Sequence, residues 1–297
     1  MSGPATLLGG PEPWPAPGKL NLFLHVVGRR ADGYHLLQTA FQFIDLCDEI
    51  RFEVRPAGVV ERLGGVPGVA ADDDLTVRAA RRLLDLRPGI GSGVAIELRK
   101  RLPLQGGVGG GSSDAATVLV ALNQLWGLGL DTEQLVGIGL ELGADVPVFI
   151  RGRAAWAEGV GEQLATVDFP EAVYLLLRPD AAVATADVFK DPELTRDSAV
   201  ITIRGFLTNG GRNDCEPVVR KRFPVVAEAL DWLGRYAPAR LTGTGSCVFA
   251  AMPDEASARA ALRQLPGRWS GWVVRGMNRS PLPDRLRLER DRTGSAR

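Results

Sequence analysis

At 297 residues, 45% of them hydrophobic, the chain exceeds one ordinary domain and can fill two cores. Lys plus Arg and Asp plus Glu each number 35, so no net charge draws the molecule to nucleic acid or an anionic membrane, although a local anion site stays open. Three scattered cysteines, Cys47, Cys215 and Cys247, without CxxC spacing, read as reduced thiols of a cytoplasmic protein, and His25 and His35 are too few for a histidine-rich metal site.

Residues 1–17, rich in Pro, Gly and Ala with no Lys or Arg, lack the early positive charge of a targeting peptide and read as a loose lead-in. No apolar run is long enough to span a bilayer. An apolar run over 20–27 predicts a buried strand, with His25 structural within it, and residues 29–33 predict a turn. Loose alternation over 41–54 suggests one or two more strands. Helical spacing of Leu75, Ala79, Leu83 and Leu86 predicts a helix over 74–86, and 93–98 is again strand-like. A helix over 115–126 capped by Gly127 follows the glycine-rich stretch. Another starts with a capping box at Asp131 to Gln134 and ends at Gly143. Strands over 173–177, 247–251 and 271–276 and helices over 220–233 and 255–264 fill the second half. The triplet Arg220-Lys221-Arg222 is expected to open its helix as a solvated face. Residues 285–297, alternating in charge, read as a frayed tail.

The segment from Gly106 to Ser113 carries the chemistry. Five glycines in six positions, followed by Ser112, Ser113 and a helix, suit a phosphate. Glycine allows positive φ and close approach of an anion, and a helix start offers unpaired amides with about half a positive charge. The two serines are expected to add hydroxyl donors at the N-cap. The loop lacks the lysine of a GxxxxGK[ST] motif and has Ser112 where GxGxxG needs its third glycine, so it is a third kind of phosphate loop. The bland alternative is a flexible linker.

The stretch Pro103 to Ala116, PLQGGVGGGSSDAA, resembles the nucleotide loop of the GHMP kinases, small-molecule kinases that use ATP. Residues 16–21, APGKLN, are similar to that family's N-terminal signature, and residues 241–247, LTGTGSC, to its C-terminal glycine motif. Segments 30–35, 142–149, 157–162, 189–194 and 213–217 narrow the resemblance to the branch acting on a cytidine diphosphate-linked alcohol. The resemblance implies an α+β fold of two domains, a ribosomal S5 domain 2-like N-terminal domain and a ferredoxin-like C-terminal domain. These would span residues 1–158, binding ATP, and 159–297, with the active site in the cleft between them. The implied reaction is phosphorylation by ATP of the 2-hydroxyl of 4-diphosphocytidyl-2-C-methyl-D-erythritol, in the non-mevalonate route to isoprenoid precursors. ATP is then a co-substrate and Mg2+ is required, with ligands the sequence does not identify. Neither nucleic acid nor membrane is an expected partner, and the oligomeric state is open.

The resemblance also implies roles. Asp145 would orient the acceptor hydroxyl and take its proton, and Lys19 would pair with it and meet the transferring phosphoryl; on residues alone, a structural salt bridge is an equal reading. Pro103, Gly106, Gly107, Gly109, Gly110, Gly111, Ser112 and Ser113 would bind ATP. Tyr34 and Phe189 would stack on a cytosine, which otherwise read as core. His35 would read the cytosine edge, and Asn21 and Thr185 would contact the methylerythritol part. Three positions depart from the pattern: Gly18 for alanine, and Asp74 and Asp114 where asparagine is frequent. An aspartate at 74 could not donate a hydrogen bond to ATP, and one at 114 would repel phosphates if turned inward.

Overall fold

The strand expected at 20–27 is part of a far longer one. In the computed structural model, which describes residues 6–294 except 65, 67 and 88, β2 runs Trp14–Arg29 and pairs antiparallel with β3, His35–Arg55, a single continuous strand. The lead-in expected over 1–17 is therefore corrected: Leu7–Leu8 forms the short strand β1 on β3, and residues 14–17 belong to β2. Only residues 1–5 of that stretch lie outside the described residues. Prolines 15 and 17 fit within β2 because, among the described residues, no strand pairs with its other edge, so their missing N–H groups cost no ladder bond there.

The sheet order is β4-β5-β3-β11-β8-β10-β9, where β4 is Val60–Leu63, β5 Gly93–Arg99, β8 Val173–Arg178, β9 Ala239–Leu241, β10 Val248–Met252 and β11 Ser270–Met277. β6, Ala155–Glu158, also pairs with β3, and β7, Gln163–Thr166, with β6. Against the first half pack α1, Leu75–Leu86, α2, Gly110–Leu125, α3, Thr132–Leu142, and α4, Val146–Arg151, around Phe43, Phe52, Leu83, Leu119 and Phe149. The second half adds α5, Thr185–Lys190, α6, Ile203–Asn209, α7, Glu216–Arg222, α8, Pro224–Gly234, and α9, Glu255–Leu262. Its core centres on Leu175, Leu177, Val219, Leu230 and Val248. A third cluster, including Leu20, Phe23, Ile44, Leu176, Phe206 and Phe249, joins the halves. They are also joined by hydrogen bonding, since β11 pairs with β8 over most of its length and with β3 at Gly276 and Met277.

Two further expectations are corrected. The helix placed over 220–233 is two helices, broken at Phe223 and Pro224, because proline cannot continue α7 but suits the first turn of α8. Arg220, Lys221 and Arg222 thus close a helix, where they pair with Asp231, Glu193 and Asp191. The expected tail is α10, Leu282–Gly294, which returns to the first half: Leu282 joins its core, and buried Arg285 lies 4.4 Å from the Trp14 ring centroid. Residues 295–297 of that expected tail lie outside the described residues.

Candidate active site

A cavity of about 780 Å³ opens between the halves. Its wall includes Lys19, only 3% exposed, whose Nζ lies 3.2 Å from the Asp145 carboxylate. The same ammonium donates to Asn21 Oδ1 at 2.5 Å and to the Gly107 carbonyl at 3.1 Å, and it sits 5.2 Å from the Phe41 ring centroid. Three acceptors match its three N–H bonds, so the cation is held in one position. A break in the β2–β3 register between Pro17 and Lys19 aims it into the cavity. Asp145 is the residue before α4, but its carboxylate caps no amide of that helix and has one third of its surface open. An acceptor oxygen beside a fixed cation is thereby left facing the cavity.

The glycine loop lies along the Lys19 side. α2 begins at Gly110, five residues before the expected start, with Gly109 at φ 72° as its N-cap. Ser112 and Ser113 are therefore in the first turn and not at the cap. Ser112 lines the cavity; Ser113 is fully buried and its Oγ has no partner. Gly107 and Gly109 line the cavity; Pro103, Gly106 and Ser113 are buried beside them, and Gly110 and Gly111, half-buried and exposed, open α2 next to the lining residues. A Cβ on Gly109 would lie 3.1 Å from Lys19 Cε and 2.8 Å from the Phe149 ring, so the glycine makes the room in which the lysine runs. Behind the loop the C-terminal glycine motif presses in. Thr242 Oγ1 donates to the Gly107 carbonyl, and the Cys247 N–H to that of Gly106. Asn213 in turn donates to the carbonyls of Leu241 and Gly243 at 2.9 and 2.7 Å.

At the opposite end Tyr34, His35 and Phe189 line the cavity together. Tyr34 is 65% exposed, far more than any core role allows, while the Phe189 and His35 rings lie 5.0 Å apart at 30°. Burial, with Arg196 and Arg29 nearby, holds the His35 imidazole below its ordinary pKa. Asn21, beside Lys19, and Thr185, in the same helix as Phe189, line the cavity as well. Asn21 donates to Thr39, and Thr185 shares a 2.9 Å hydrogen bond with Thr244 of the second glycine motif. Ten of the fifteen residues singled out from sequence thus meet at one cavity. Sequence reasoning missed Arg196, which reaches this end without lying in any motif, and Thr244, whose motif was read only as loop support.

The departures also find their reasons. A Cβ at Gly18 would lie 2.8 Å from Leu102 Cδ2 and 3.1 Å from Ile44 Cδ1, so the glycine accommodates larger neighbours. Asp74 caps α1, accepting from the Thr76 N–H at 2.8 Å and hydroxyl at 2.6 Å and from Arg62. Burial would raise its carboxyl, but these hydrogen bonds outweigh it and hold the pKa below the ordinary value. Asp114 does not face the cavity: it accepts from Lys100 at 2.7 Å. Lys100 also pairs with fully buried Asp48, which accepts the N–H groups of Arg101 and Leu102 at 2.5 and 2.8 Å. These three side chains tie the strand entering the glycine loop to the helix leaving it.

Residues 74–153 match the GHMP kinases N terminal domain, and residues 197–271 the GHMP kinases C terminal domain. A 4-diphosphocytidyl-2-C-methyl-D-erythritol kinase of Halorhodospira halophila is 61% identical over 284 residues, 95% of this chain and 98% of that protein. One from Nitrosococcus oceani is 58% identical, covering 92% and 97%. The chain belongs to this branch of the GHMP kinases. A crystal structure of 4-(cytidine 5'-diphospho)-2C-methyl-D-erythritol kinase superposes with TM-score 0.77 at 31% identity, over 89% of this chain and 98% of that one. A mevalonate kinase at 17% identity and TM-score 0.65 shares the fold. The two-domain α+β GHMP kinase fold and small-molecule kinase activity dependent on ATP follow from this membership. Among the described residues no helix is long and apolar enough to cross a membrane.

Proposed function

We propose that this kinase transfers the γ-phosphoryl of ATP to the 2-hydroxyl of 4-diphosphocytidyl-2-C-methyl-D-erythritol, in the cytoplasm, as a step toward isoprenoid precursors. The observation carrying this reading is one cavity whose wall holds a lysine–carboxylate pair, two glycines of the glycine-rich loop and the rings of Tyr34, His35 and Phe189. Residues 1–158 supply the loop, Lys19 and Asp145, and residues 159–297 supply Phe189 and Thr244, with α10 packed back on the first group.

The triphosphate lies along Gly107, Gly109 and Ser112, against the first-turn amides of α2. Tyr34 and Phe189 hold the cytosine, and Asn21 and Thr185 flank the methylerythritol chain. Asp145 orients the acceptor hydroxyl and takes its proton as the oxygen bonds to the γ-phosphorus and the bond to the ADP oxygen breaks. Lys19 faces the transferring group and offsets its charge. Among the described residues no three His, Cys, Asp or Glu form a metal cluster. The Ser112 hydroxyl and Asp145 carboxylate are hard oxygen donors on the cavity wall, and so few suit Mg2+, which is held by one or two carboxylates plus substrate phosphates. When bound there, Mg2+ neutralises charge on the phosphate oxygens.

Coupled ADP release with ATP and Mg2+ tests the reading, comparing 4-diphosphocytidyl-2-C-methyl-D-erythritol with mevalonate, homoserine and galactose. Turnover confined to the cytidine-linked alcohol supports it. Turnover of another acceptor keeps the kinase and removes the aromatic pocket's assigned role.

A further inference from the structure

Arg196 follows α5 in a segment without regular secondary structure, yet its guanidinium makes four hydrogen bonds, none to a carboxylate. Nη2 donates to the carbonyls of Phe189 and Asp191 at 2.9 and 2.7 Å, and Nη1 to that of Leu194 at 3.0 Å. These are carbonyls at and beyond the end of α5, which a cation suits well. The fourth bond runs from Nε to the Nε2 of His35, at 3.1 Å.

That fourth bond is chemically decisive. A guanidinium offers donors only, so the His35 Nε2 it meets must carry a lone pair. The single proton of the neutral ring is then on Nδ1. No group among the described residues hydrogen-bonds Nδ1, and His35 lines the cavity. We propose that Arg196 is a positioning residue that fixes the Nδ1–H tautomer of His35, so that the cavity presents a donor to the edge of its ring ligand. Such a donor matches the N3 of a cytosine, which is an acceptor, and mismatches the N3 of a uracil, which carries a proton. The choice of ring rests on the proposed cytidine-linked acceptor; the tautomer does not.

Nitrogen-15 NMR of the histidine-labelled full chain tests the two parts separately. With only two histidines, the His35→Gln variant assigns the signals. The wild type is expected to show a protonated Nδ1 and a bare Nε2 at His35. Arg196→Met should move the proton toward Nε2, the position an unconstrained histidine side chain favours, and Arg196→Lys, which keeps a donor, should preserve Nδ1–H. In kinetics, Arg196→Met should raise KM for the cytidine-linked acceptor and leave KM for ATP unchanged. It should also narrow the preference over a uridine-linked analogue by about tenfold or more. An Nε2–H tautomer in the wild type overturns the proposal, as does an Nδ1–H tautomer that persists in Arg196→Met. If Arg196→Met does not fold, the wild-type spectrum and Arg196→Lys still decide. An Nδ1–H tautomer in a protein that ignores the cytidine-linked alcohol would refute the substrate reading alone.

Discussion

Replacing Lys100 by methionine removes the cation that pairs with two buried carboxylates, Asp48 at 0% and Asp114 at 4% exposure. Stranding one member of a buried ionic set costs about 3–5 kcal/mol. Here the cost has a ceiling, because Asp114 can take up a proton. Burial already pushes its carboxyl up, against the pull of Lys100. Its Oδ1 has no partner, whereas Asp48 must stay an acceptor for two backbone N–H groups. From an ordinary value of 3.8, holding that proton at neutral pH costs roughly 4 kcal/mol, at about 1.4 kcal/mol per pH unit. The folded variant binds the proton more tightly than the unfolded chain does. Its penalty is therefore largest at high pH and shrinks by about 1.4 kcal/mol for each unit of acidification. Urea unfolding followed by tryptophan fluorescence, at about pH 5.5 and about pH 7.5, should show the larger loss at the higher pH, with about 2 and about 4–5 kcal/mol as ceilings because the Asp114 carboxyl is already raised in the parent fold. Adding Asp114→Asn should restore most of the stability and abolish the pH dependence. A loss under about 1 kcal/mol, or one that does not change with pH, would refute the reasoning.

Three other outcomes are expected. Asp145→Asn should lower turnover about a hundred- to ten-thousand-fold while the thermal midpoint holds, and wild-type turnover in the folded variant would remove Asp145 from the chemistry. Gly107→Ala should cost about 1–3 kcal/mol and raise KM for ATP, since residue 107 is at φ 72° and the new Cβ meets the Thr242 carbonyl oxygen at 2.2 Å. Gly111→Ala, with only Leu75 Cδ1 at 3.6 Å, is the control, and equal effects at both positions would argue against steric control. Arg285→Met should destabilise by about 3 kcal/mol in urea, because it leaves the carbonyls of Gly9 and Glu12 and buried Glu289 without their shared partner. An unchanged unfolding midpoint would mean that α10 contributes no stability.

What the sequence made legible was local. The capping box at Asp131 and the period of α1 depend on residues a few positions apart and lie where they were expected, whereas the glycine stretch was legible as a motif but gives way to helix at Gly110, earlier than its composition suggested. The edges failed for a different reason. Pro15 and Pro17 looked like loop because a proline's compatibility with a strand depends on which side is unpaired, and that is a tertiary fact. Arg285 and Glu289 looked like solvated charge because their burial and pairing need Trp14 and the carbonyls of residues 9 and 12. The Asp48–Lys100–Asp114 set and the Arg196–His35 bond join residues 14 to 161 positions apart, with no spacing that marks them in advance.

The shared sheet has a consequence for how this enzyme can be altered. Because β11 is laced to β3 as well as to β8, and Phe23, Ile44 and Phe249 belong to one cluster, the two halves are not modules on a hinge. A chimaera that takes its second half from another kinase inherits a foreign edge at residues 276 and 277 and a mismatched apolar filling behind it. Acceptor specificity is therefore better transplanted at the rim, through the 30–34 turn and the α5 segment with Arg196, which border the cavity without crossing that seam.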